Sequence, residues 1–304
     1  MNYYHLKNTG LHLSVVGLGA WPFSSGYDWS NIDAPDVASV LSAARESGIN
    51  WIDTAPIYEE SEKRLGAALK GRREQFVLAT KCGLVKNGAW TDHDLHPATL
   101  QKQLENSLRT LRTDVIDLYQ IHYPDPTVAL EDALAVLFRF REQGKIRAIG
   151  VCNITEQQLL ALPAEVDSVQ QEFSLIHAQK GKKLLDACQK KQIAFLGYGT
   201  LGGGILSGKY KQEPNFRRAD ARNYFYKCYR GESFDKLQPL LARVSQLAQQ
   251  KRTSMAGLSV AWALSYPGVS SVLVGAKTTA QVLQNAQGAV VHLNEEEKAY
   301  LEGL

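Results

Sequence analysis

Eight short apolar runs recur along the chain, and helical stretches separate them. The runs cover residues 15–18, 49–52, 76–79, 115–119, 146–150, 168–170, 193–196 and 271–274. Runs rich in β-branched residues are typical of buried strands, and strands that alternate with helices favour a parallel sheet. Eight such units predict a closed (β/α)8 barrel, the TIM barrel. The chain has 304 residues, against about 250 in a typical barrel of this kind, so we expect one domain over residues 1–304.

The clearest helical periods follow the third and fourth runs. Their apolar residues have helical spacing: Leu100, Leu104, Leu108 and Leu111 in the first, and Leu130, Leu134, Leu137 and Phe138 in the second. Pro97 stands where the first turn of a helix tolerates proline, and Gly144 is typical of a helix end. Both segments are therefore predicted to be helices that cover the barrel.

Two segments fall outside this alternation. Residues 3–6 and 11–14 flank Asn8-Thr9-Gly10, which predicts a β-hairpin ahead of the barrel. Residues 202–232, after the seventh run, lack periodicity and are too long for an ordinary connection. We expect a loop there that is either a lid over cofactor or substrate or a solvated excursion.

Charge and composition argue against several classes of function. The net charge is +3 and no block of Lys or Arg stands out, so neither nucleic acid nor an acidic membrane surface is indicated as a partner. The first ten residues lack the regions of a secretory signal, and no uncharged stretch approaches the roughly 20 residues that span a bilayer. We therefore expect a cytoplasmic protein.

Three short motifs resemble nucleotide or metal sites but lack the context that those sites need. Residues 197–202 match G-x-G-x-x-G, yet no apolar strand of a Rossmann unit follows. Residues 203–209 match part of a P-loop, but Tyr210 replaces the hydroxyl residue that would hold magnesium. His93 and His96 have no further ligands at metal-site spacing, so we expect no metal. The glycines remain a place where backbone approaches a ligand closely.

Polar residues follow four of the apolar runs. Asp53 ends the second and precedes Tyr58, Lys81 ends the third, His122 ends the fourth, and Asn153 follows the fifth. Singly, these have ordinary explanations, such as a helix cap for Asp53, a solvated strand tip for Lys81 and a core position for His122. Because the carboxyl ends of barrel strands meet at one face, together they predict an active site.

Such a set supports proton donation to a carbonyl group. An isolated tyrosine has a pKa of about 10 and is a poor acid at neutral pH unless its anion is stabilised. A buried ammonium at Lys81 would lower that pKa, and Asp53 would keep the lysine charged. His122 would hydrogen-bond the carbonyl oxygen or couple to the Tyr58 phenol. The hydride itself must come from a cofactor.

The same segments resemble signatures of the aldo-keto reductase family, and the likeness spans nearly the whole chain. The first signature covers Asp53-Thr54-Ala55 with Tyr58, Ser61-Glu62 and residues 65–69, and the second covers residues 144–147 and 150–153. The resemblance implies a (β/α)8 barrel. It places the family's catalytic tetrad on Asp53, Tyr58, Lys81 and His122.

The resemblance also implies a nicotinamide cofactor. Its carboxamide is expected at Asn153 and Gln170, its ring against Tyr198, its pyrophosphate on the glycine-rich loop, and its adenosine end after the eighth strand. The cofactor-binding residues implied in this way are Gly19, Ala20, Cys152, Asn153, Gln170, Tyr198, Gly199, Thr200, Leu201, Gly202, Gly203, Gly275, Ala276, Lys277, Gln281, Gln284 and Asn285.

The chain departs from the family's usual residues at four positions. Glu59 stands where glycine is usual, Cys152 where serine is frequent, and Phe173 where tyrosine is frequent. Gln281 stands where an arginine often contacts the 2′-phosphate of NADPH, which leaves Lys277 as the main cationic candidate. NADPH is therefore the expected cofactor, and NADH remains an alternative.

We accordingly predict an oxidoreductase that reduces small aldehydes or ketones, with Tyr58 as general acid and base. Trp21 is predicted either to line the substrate pocket or to pack at the barrel rim. Two alternatives stay open: a nicotinamide-binding regulatory subunit with little turnover, which the intact tetrad disfavours, and a barrel aldolase with a Schiff base on Lys81. The sequence determines neither the substrate nor the oligomeric state.

Overall fold

Eight parallel strands close into a barrel in the computed structural model of the protein, which describes residues 1–24, 36–88, 90–218 and 220–303. The strands in these residues are β1 (Tyr3–Leu6), β2 (Leu11–Ser14), β3 (Val16–Gly19), β4 (Trp51–Asp53), β5 (Val77–Cys82), β6 (Leu84–Asn87), β7 (Trp90–His93), β8 (Ile116–Ile121), β9 (Ile146–Cys152), β10 (Ser168–Glu172), β11 (Ala194–Tyr198) and β12 (Val269–Gly275). The α-helices are α1 (Val37–Glu46), α2 (Ser61–Ala68), α3 (Pro97–Leu111), α4 (Leu130–Glu142), α5 (Glu156–Ala161), α6 (Gln179–Lys191), α7 (Arg222–Phe225), α8 (Gly231–Gln250), α9 (Met255–Leu264), α10 (Thr279–Gln287) and α11 (Glu295–Glu302).

The barrel confirms the predicted (β/α)8 fold. Its strand order is β3, β4, β5, β8, β9, β10, β11 and β12, and β12 pairs with β3 to close it. Each predicted run overlaps one barrel strand, but all eight strands continue past the carboxyl end of the run. The added positions carry polar residues such as Asp53, Lys81 and Tyr198. An apolar pattern stops at the first such residue, so it misses the strand ends that face the site.

The predicted N-terminal hairpin is also confirmed. β1 and β2 pair antiparallel, and Leu6, Leu11 and Leu13 are buried in one cluster with Trp51 inside the barrel. An added Cβ at Gly17 would lie 2.2 Å from the Trp51 ring, so glycine makes room for the indole. The hairpin therefore closes the end of the barrel opposite the carboxyl ends of its strands.

The two predicted leucine-rich helices are α3 and α4. Leu100, Leu104 and Leu111 of α3 are buried against the barrel, as the helical spacing requires. Past the end of α4, Gly144 has φ +73°, a left-handed conformation that glycine adopts without a steric penalty. Among the helices in the described residues, none combines the length and hydropathy needed to cross a membrane.

A second hairpin, which the sequence pattern does not predict, joins β5 to α3. It consists of β6 and β7, which pair antiparallel from Leu84 opposite His93 to Asn87 opposite Trp90. Its side chains are exposed or half-buried, so it lacks the alternating apolar face that marks a strand in sequence. The Trp90 side chain is 78% exposed at the edge of the cleft described below.

The long segment after β11 is present as predicted, but it is partly helical. It contains a 3₁₀ turn at Gly202–Ser207, the short helix α7 and a second 3₁₀ turn at Lys227–Tyr229, and α8 already begins at Gly231. Four of its aromatic residues pack together in a small cluster, Tyr210, Phe216, Tyr226 and Tyr229, whereas Tyr224 and Phe225 are exposed. Part of the segment therefore packs at the mouth of the barrel, so it is not wholly a solvated excursion.

Candidate active site

The carboxyl ends of the barrel strands open into one cleft with a volume of ≈1510 Å³. Nearly all of the predicted site residues line it: Gly19, Ala20, Trp21, Asp53, Tyr58, His122, Asn153, Gln170, Tyr198, Gly199, Thr200, Leu201, Gly203, Gly275, Ala276, Lys277, Gln281, Gln284 and Asn285. Lys81, Cys152 and Gly202 do not line the cleft. Lys81 and Cys152 are buried below its floor, and the Gly202 N–H donates to Gly199 O within the glycine-rich turn, 2.7 Å away.

Lys81 and Asp53 form a buried ion pair, with the lysine side chain 1% and the aspartate side chain 5% exposed. The ammonium also donates to Thr54 O at 2.9 Å and lies 3.4 Å from the Tyr58 hydroxyl. Burial acts to lower the pKa of Lys81. The negative charge of Asp53 and then the contact with Tyr58 raise the pKa by more than burial lowers it, so the net pKa lies above the ordinary value. Lys81 is therefore charged at neutral pH, and neither a solvated tip nor a helix cap describes this pair.

Tyr58 ends a single 3₁₀ turn that follows β4. Its ring stacks on Trp21 with centroids 5.7 Å apart and meets His122 edge-on at 5.8 Å. Burial raises the pKa of Tyr58 to about 12, although Lys81 pulls it down. Lys81 does act to lower the pKa of Tyr58, as predicted, but burial raises that pKa by more. Tyr58 therefore keeps its proton at neutral pH.

Glu59 directly follows Tyr58 and has an unusual backbone conformation. Its φ is +48° and ψ −110°, a region that residues with a side chain rarely adopt. The Glu59 carboxylate accepts a hydrogen bond from Lys86 of β6 at 2.9 Å. The unpredicted hairpin is thus tied to the turn that carries Tyr58.

His122 directly follows β8 and is 9% exposed. Its ring stacks on Tyr123 with centroids 5.3 Å apart. Burial, followed by the charges of Lys81 and His93, holds the pKa of His122 well below its ordinary value. The imidazole is therefore neutral at physiological pH, with one N–H to donate and one nitrogen to accept.

A buried amide network lies beneath these residues. The Asp53 Oδ1 accepts from Gln120 Nε2 at 2.8 Å and from Gln170 Nε2 at 3.1 Å. Gln170 Nε2 also donates to Gln120 Oε1 at 3.0 Å, and Cys152 Sγ lies 3.8 Å from that oxygen. Sequence reasoning misses Gln120. Its one local signal is a polar residue two positions before His122, in a strand that is buried throughout.

Asn153 is held on two sides at the end of β9. Its Oδ1 accepts from the Tyr198 hydroxyl at 2.7 Å, and its Nδ2 donates to His122 O at 2.9 Å. The residue has φ +58°, which turns the chain at this point. Asn153, Gln170 and Tyr198 therefore form one preorganised wall of the cleft.

The glycine-rich turn after β11 forms the next part of the wall. Gly199, Gly202, Gly203 and Gly204 all have positive φ. An added Cβ at Gly203 would lie 2.7 Å from the Tyr226 ring, so a side chain has no room there. Backbone can therefore approach a ligand closely in this turn, as a dinucleotide pyrophosphate requires.

The far end of the cleft is cationic. Lys277 follows β12, and its backbone N–H donates to Gln281 Oε1 at 2.8 Å. Burial, followed by the charges of Arg222 and Lys209, lowers the pKa of Lys277 to about 7. Lys209 and Arg222 line the cleft near Lys277, and the Arg222 guanidinium is ion-paired to the buried Asp220 carboxylate at 2.6 Å. Sequence reasoning finds Lys277 but not these two, since they belong to the long segment after β11.

Trp21, His93 and His96 are the other residues that the sequence singles out. Trp21 lines the cleft, stacked on Tyr58 and in edge contact with Phe225 of α7 at 5.3 Å. His93 Nδ1 lies 2.8 Å from Pro124 O, and His96 precedes α3 at the surface. Within the described residues, no group of three or more His, Cys, Asp or Glu side chains is placed to hold a metal ion.

Known proteins share both the sequence pattern and the barrel. The sequence model described as "Aldo/keto reductase family" matches residues 15–304. Aldo-keto reductase YhdN of Bacillus subtilis is 34% identical over 93% of this chain and 87% of its own length. The NADH-specific methylglyoxal reductase of Escherichia coli is 30% identical over 95% of this chain and 94% of its own length. The solved structure of glycerol dehydrogenase AKR11B4 from Gluconobacter oxydans superposes with a TM-score of 0.87 at 30% identity, covering 99% of this chain and 94% of that one.

Proposed function

Because the chain belongs to the aldo/keto reductase family of oxidoreductases, we propose that it reduces small aldehydes or ketones and, in reverse, oxidises the matching alcohols. The observation that supports this most directly is the contact of Tyr58 with Lys81. A phenol that holds its proton at neutral pH faces the cleft, and an ammonium lies 3.4 Å from the oxygen that would lose the proton. This arrangement suits a general acid.

Each member of the tetrad has a separate task in this proposal. Tyr58 donates its proton to the carbonyl oxygen as charge builds on it. Lys81 stabilises the phenolate that remains, and Asp53 keeps Lys81 charged in a buried place. His122 is neutral, so it donates a hydrogen bond to the same carbonyl oxygen and orients the substrate.

The hydrogen-bonding groups that line the cleft suit a nicotinamide dinucleotide, and the glycine-rich turn leaves space for its pyrophosphate. Asn153 and Gln170 would hold the carboxamide, Tyr198 would pack on the ring, and the turn beginning at Gly199 would hold the pyrophosphate. When bound, the cofactor supplies the hydride that no side chain can supply. The aromatic wall of Trp21 and Phe225 would exclude water from the reacting carbon.

We further propose that NADPH is the preferred cofactor. Lys277, Lys209 and Arg222 bring three basic side chains to the end of the cleft where adenosine would lie, and a bound phosphate there would favour the charged form of Lys277. Such a cluster favours the extra phosphate of NADPH over the hydroxyl of NADH. The relative from Escherichia coli is named NADH-specific, so affinity for both cofactors needs to be measured.

An aldolase mechanism on Lys81 has little support. A Schiff base needs an unprotonated amine that reaches the substrate. Lys81 is charged, is ion-paired to Asp53 and does not line the cleft. Its chemistry is that of an electrostatic partner to Tyr58.

The test is NADPH and NADH oxidation with a panel that includes methylglyoxal, glyceraldehyde and benzaldehyde. The Tyr58→Phe variant is expected to lose on the order of 10²–10⁴-fold in kcat, with cofactor Kd changed less than about threefold. Tyr300→Phe, on the distant helix α11, is the matched control and should retain full turnover. Cofactor binding without turnover on every substrate would favour the regulatory alternative, and full activity of Tyr58→Phe would overturn the proposal.

A further inference from the structure

Gln120 is an amide enclosed in the barrel core, with 0% exposure. Both ends of its side-chain amide are used: Nε2 donates to Asp53 at 2.8 Å, and Oε1 accepts from Gln170 at 3.0 Å. A buried amide is unfavourable unless it is hydrogen-bonded, and these two bonds go to residues that line the cleft. Gln120 thus links Asp53 to Gln170 without reaching the cleft itself.

The neighbouring strand leaves a space for this side chain. An added Cβ at Gly150 would lie 2.8 Å from Gln120 Cγ and 2.5 Å from Ser168 Oγ. Gly150 has an ordinary negative φ, so its backbone does not require glycine. The requirement for glycine comes from the room that Gln120 and Ser168, on the two flanking strands, occupy.

The network decides which atom Gln170 presents to the cleft. A primary amide nitrogen carries two hydrogens, and those of Gln170 go to Asp53 Oδ1 and Gln120 Oε1. If the amide were flipped, its oxygen would face two acceptors. The Gln170 Oε1 is therefore the polar atom available to a ligand, and Gln170 acts as an acceptor there.

Asn153 is oriented in the complementary sense. One Nδ2 hydrogen goes to His122 O, and Oδ1 accepts from Tyr198, which leaves the second Nδ2 hydrogen to donate. The Asn153 backbone N–H donates to Gln170 O at 3.0 Å, so the two residues are adjacent. Together they present one donor and one acceptor, the pattern that complements a primary carboxamide.

We propose that Gln120 is a positioning residue that locks the Gln170 amide as an acceptor and joins the carboxamide subsite to the Asp53–Lys81–Tyr58 proton donor. This rests on the proposed function, since it needs a nicotinamide cofactor in the cleft. Without Gln120, one hydrogen of Gln170 loses its partner and Asp53 Oδ1 keeps a single donor. We then expect two changes: weaker selection for the carboxamide of the cofactor, and a different apparent pKa of the proton donor Tyr58.

The binding test compares NADP⁺ with its 3-acetylpyridine analogue, which keeps the carbonyl acceptor but lacks the amide hydrogens. Kd is measured by quenching of tryptophan fluorescence, so no turnover is needed. The wild-type protein should bind the analogue about tenfold more weakly, because Gln170 Oε1 loses its donor. In Gln120→Met the ratio should fall below about threefold, because Asp53 alone then restrains the Gln170 amide, through one hydrogen bond instead of two.

A second readout follows the proton donor. The pH profile of kcat for alcohol oxidation reports the group that must act as base. Asp53 loses a hydrogen bond that shares its charge in Gln120→Met, so its negative charge acts more strongly on Tyr58. The apparent pKa in that profile should shift upward relative to wild type, a change that general loosening of the barrel would not produce.

Two further variants guard against misfolding as the explanation. Gly150→Ala crowds the Gln120 side chain as well as Ser168 Oγ, leaves the Gln120 amide intact and should reproduce the loss of discrimination. Tyr119→Phe removes a buried hydroxyl from the position of β8 that directly precedes Gln120. It should keep the wild-type ratio of the two Kd values. If folded Gln120→Met and Gly150→Ala kept the wild-type ratio of the two Kd values, the proposal for Gln120 would be overturned, and the proposed function would still stand. Failure of the wild-type protein to bind either nicotinamide cofactor would instead overturn the proposed function.

Discussion

The Lys81 ammonium lies 3.4 Å from the Tyr58 hydroxyl and is ion-paired to Asp53. Burial of the phenol raises its pKa, and the ammonium acts against that rise. The phenol therefore keeps its proton at neutral pH, while a cation is already in place beside the oxygen that would become charged. This balance favours proton donation near neutral pH and makes alcohol oxidation, which needs the phenolate, more dependent on alkaline conditions.

We expect Lys81→Met to lose both activity and stability. The phenolate of Tyr58 loses its stabilising charge, so kcat should fall by on the order of 10²-fold or more. Asp53 is left as a buried charge without its cation, which costs about 3–5 kcal/mol. Kinetics and urea unfolding followed by circular dichroism measure the two effects.

The double variant Asp53→Asn with Lys81→Met separates these effects. Removing both charges should recover much of the unfolding free energy but none of the activity, because a buried pair is not required for stability in itself. Recovery of activity in the double variant would show that Lys81 acts only through folding.

We expect His122 to make stability depend on pH below about 6.5, the ordinary pKa of histidine. In the folded protein burial holds the pKa of His122 well below that value. The unfolded chain therefore binds a proton in a range where the folded protein does not. Well above pH 6.5 the protonation of His122 does not affect the free energy of unfolding. As the pH drops below that value, the free energy of unfolding falls by up to about 1.4 kcal/mol per pH unit.

His122→Gln is the variant that isolates this effect. Urea unfolding between pH 5 and 7 is measured for both proteins, and the slope of unfolding free energy against pH should be smaller in the variant. Asp167, whose pKa burial raises to about 6, is present in both proteins and cancels in the comparison. Equal slopes would mean that His122 takes up its proton in the folded state as easily as in the unfolded chain.

We expect NADPH to bind more weakly as the pH rises from 7 to 9. Burial and the neighbouring cations lower the pKa of Lys277 to about 7 in the free protein, so this lysine loses its charge across that range. The 2′-phosphate is already dianionic there, with a second pKa of about 6. The Kd for NADPH should rise by about tenfold, and that for NADH by much less.

Lys277→Met tests the assignment by fluorescence titration. The variant should bind NADPH more weakly at pH 7 and should lose most of the pH dependence. Lys211→Met is the matched control, since it removes one positive charge from an exposed position in the segment after β11 that does not line the cleft. Tighter binding of NADH than of NADPH by the wild-type protein would contradict a phosphate site at Lys277.

Features set by local patterns can be predicted from this sequence. The apolar runs near Trp51 and Leu118 and the leucine spacing of α3 are repeated, short-range signals, and each corresponds to an element of the barrel. Asp53 and His122 were identifiable for a related reason: the carboxyl ends of parallel strands share one face, so a polar residue after a strand lies near the others. The hairpin of β6 and β7 has no such pattern, because neither of its faces is buried.

Features that depend on contacts between distant residues could not be predicted. Gln120 is 67 positions from Asp53 and 50 from Gln170, and only closure of the barrel places the three amide and carboxylate groups in contact. The approach of Arg222 and Lys209 to Lys277 depends in the same way on how the segment after β11 packs.

The sequence by itself therefore determined the barrel, its N-terminal hairpin and the identities of the polar residues at its strand ends. Apolar periodicity and the alternation of strands with helices along the chain depend on residues that are close in sequence, so both can be identified without knowledge of packing. Only the tertiary structure decided the net pKa of Tyr58, the neutral state of His122 and the orientation of the Gln170 amide. Each of these depends on how far water is excluded and on which groups lie within hydrogen-bonding distance, and both are set by the assembled barrel.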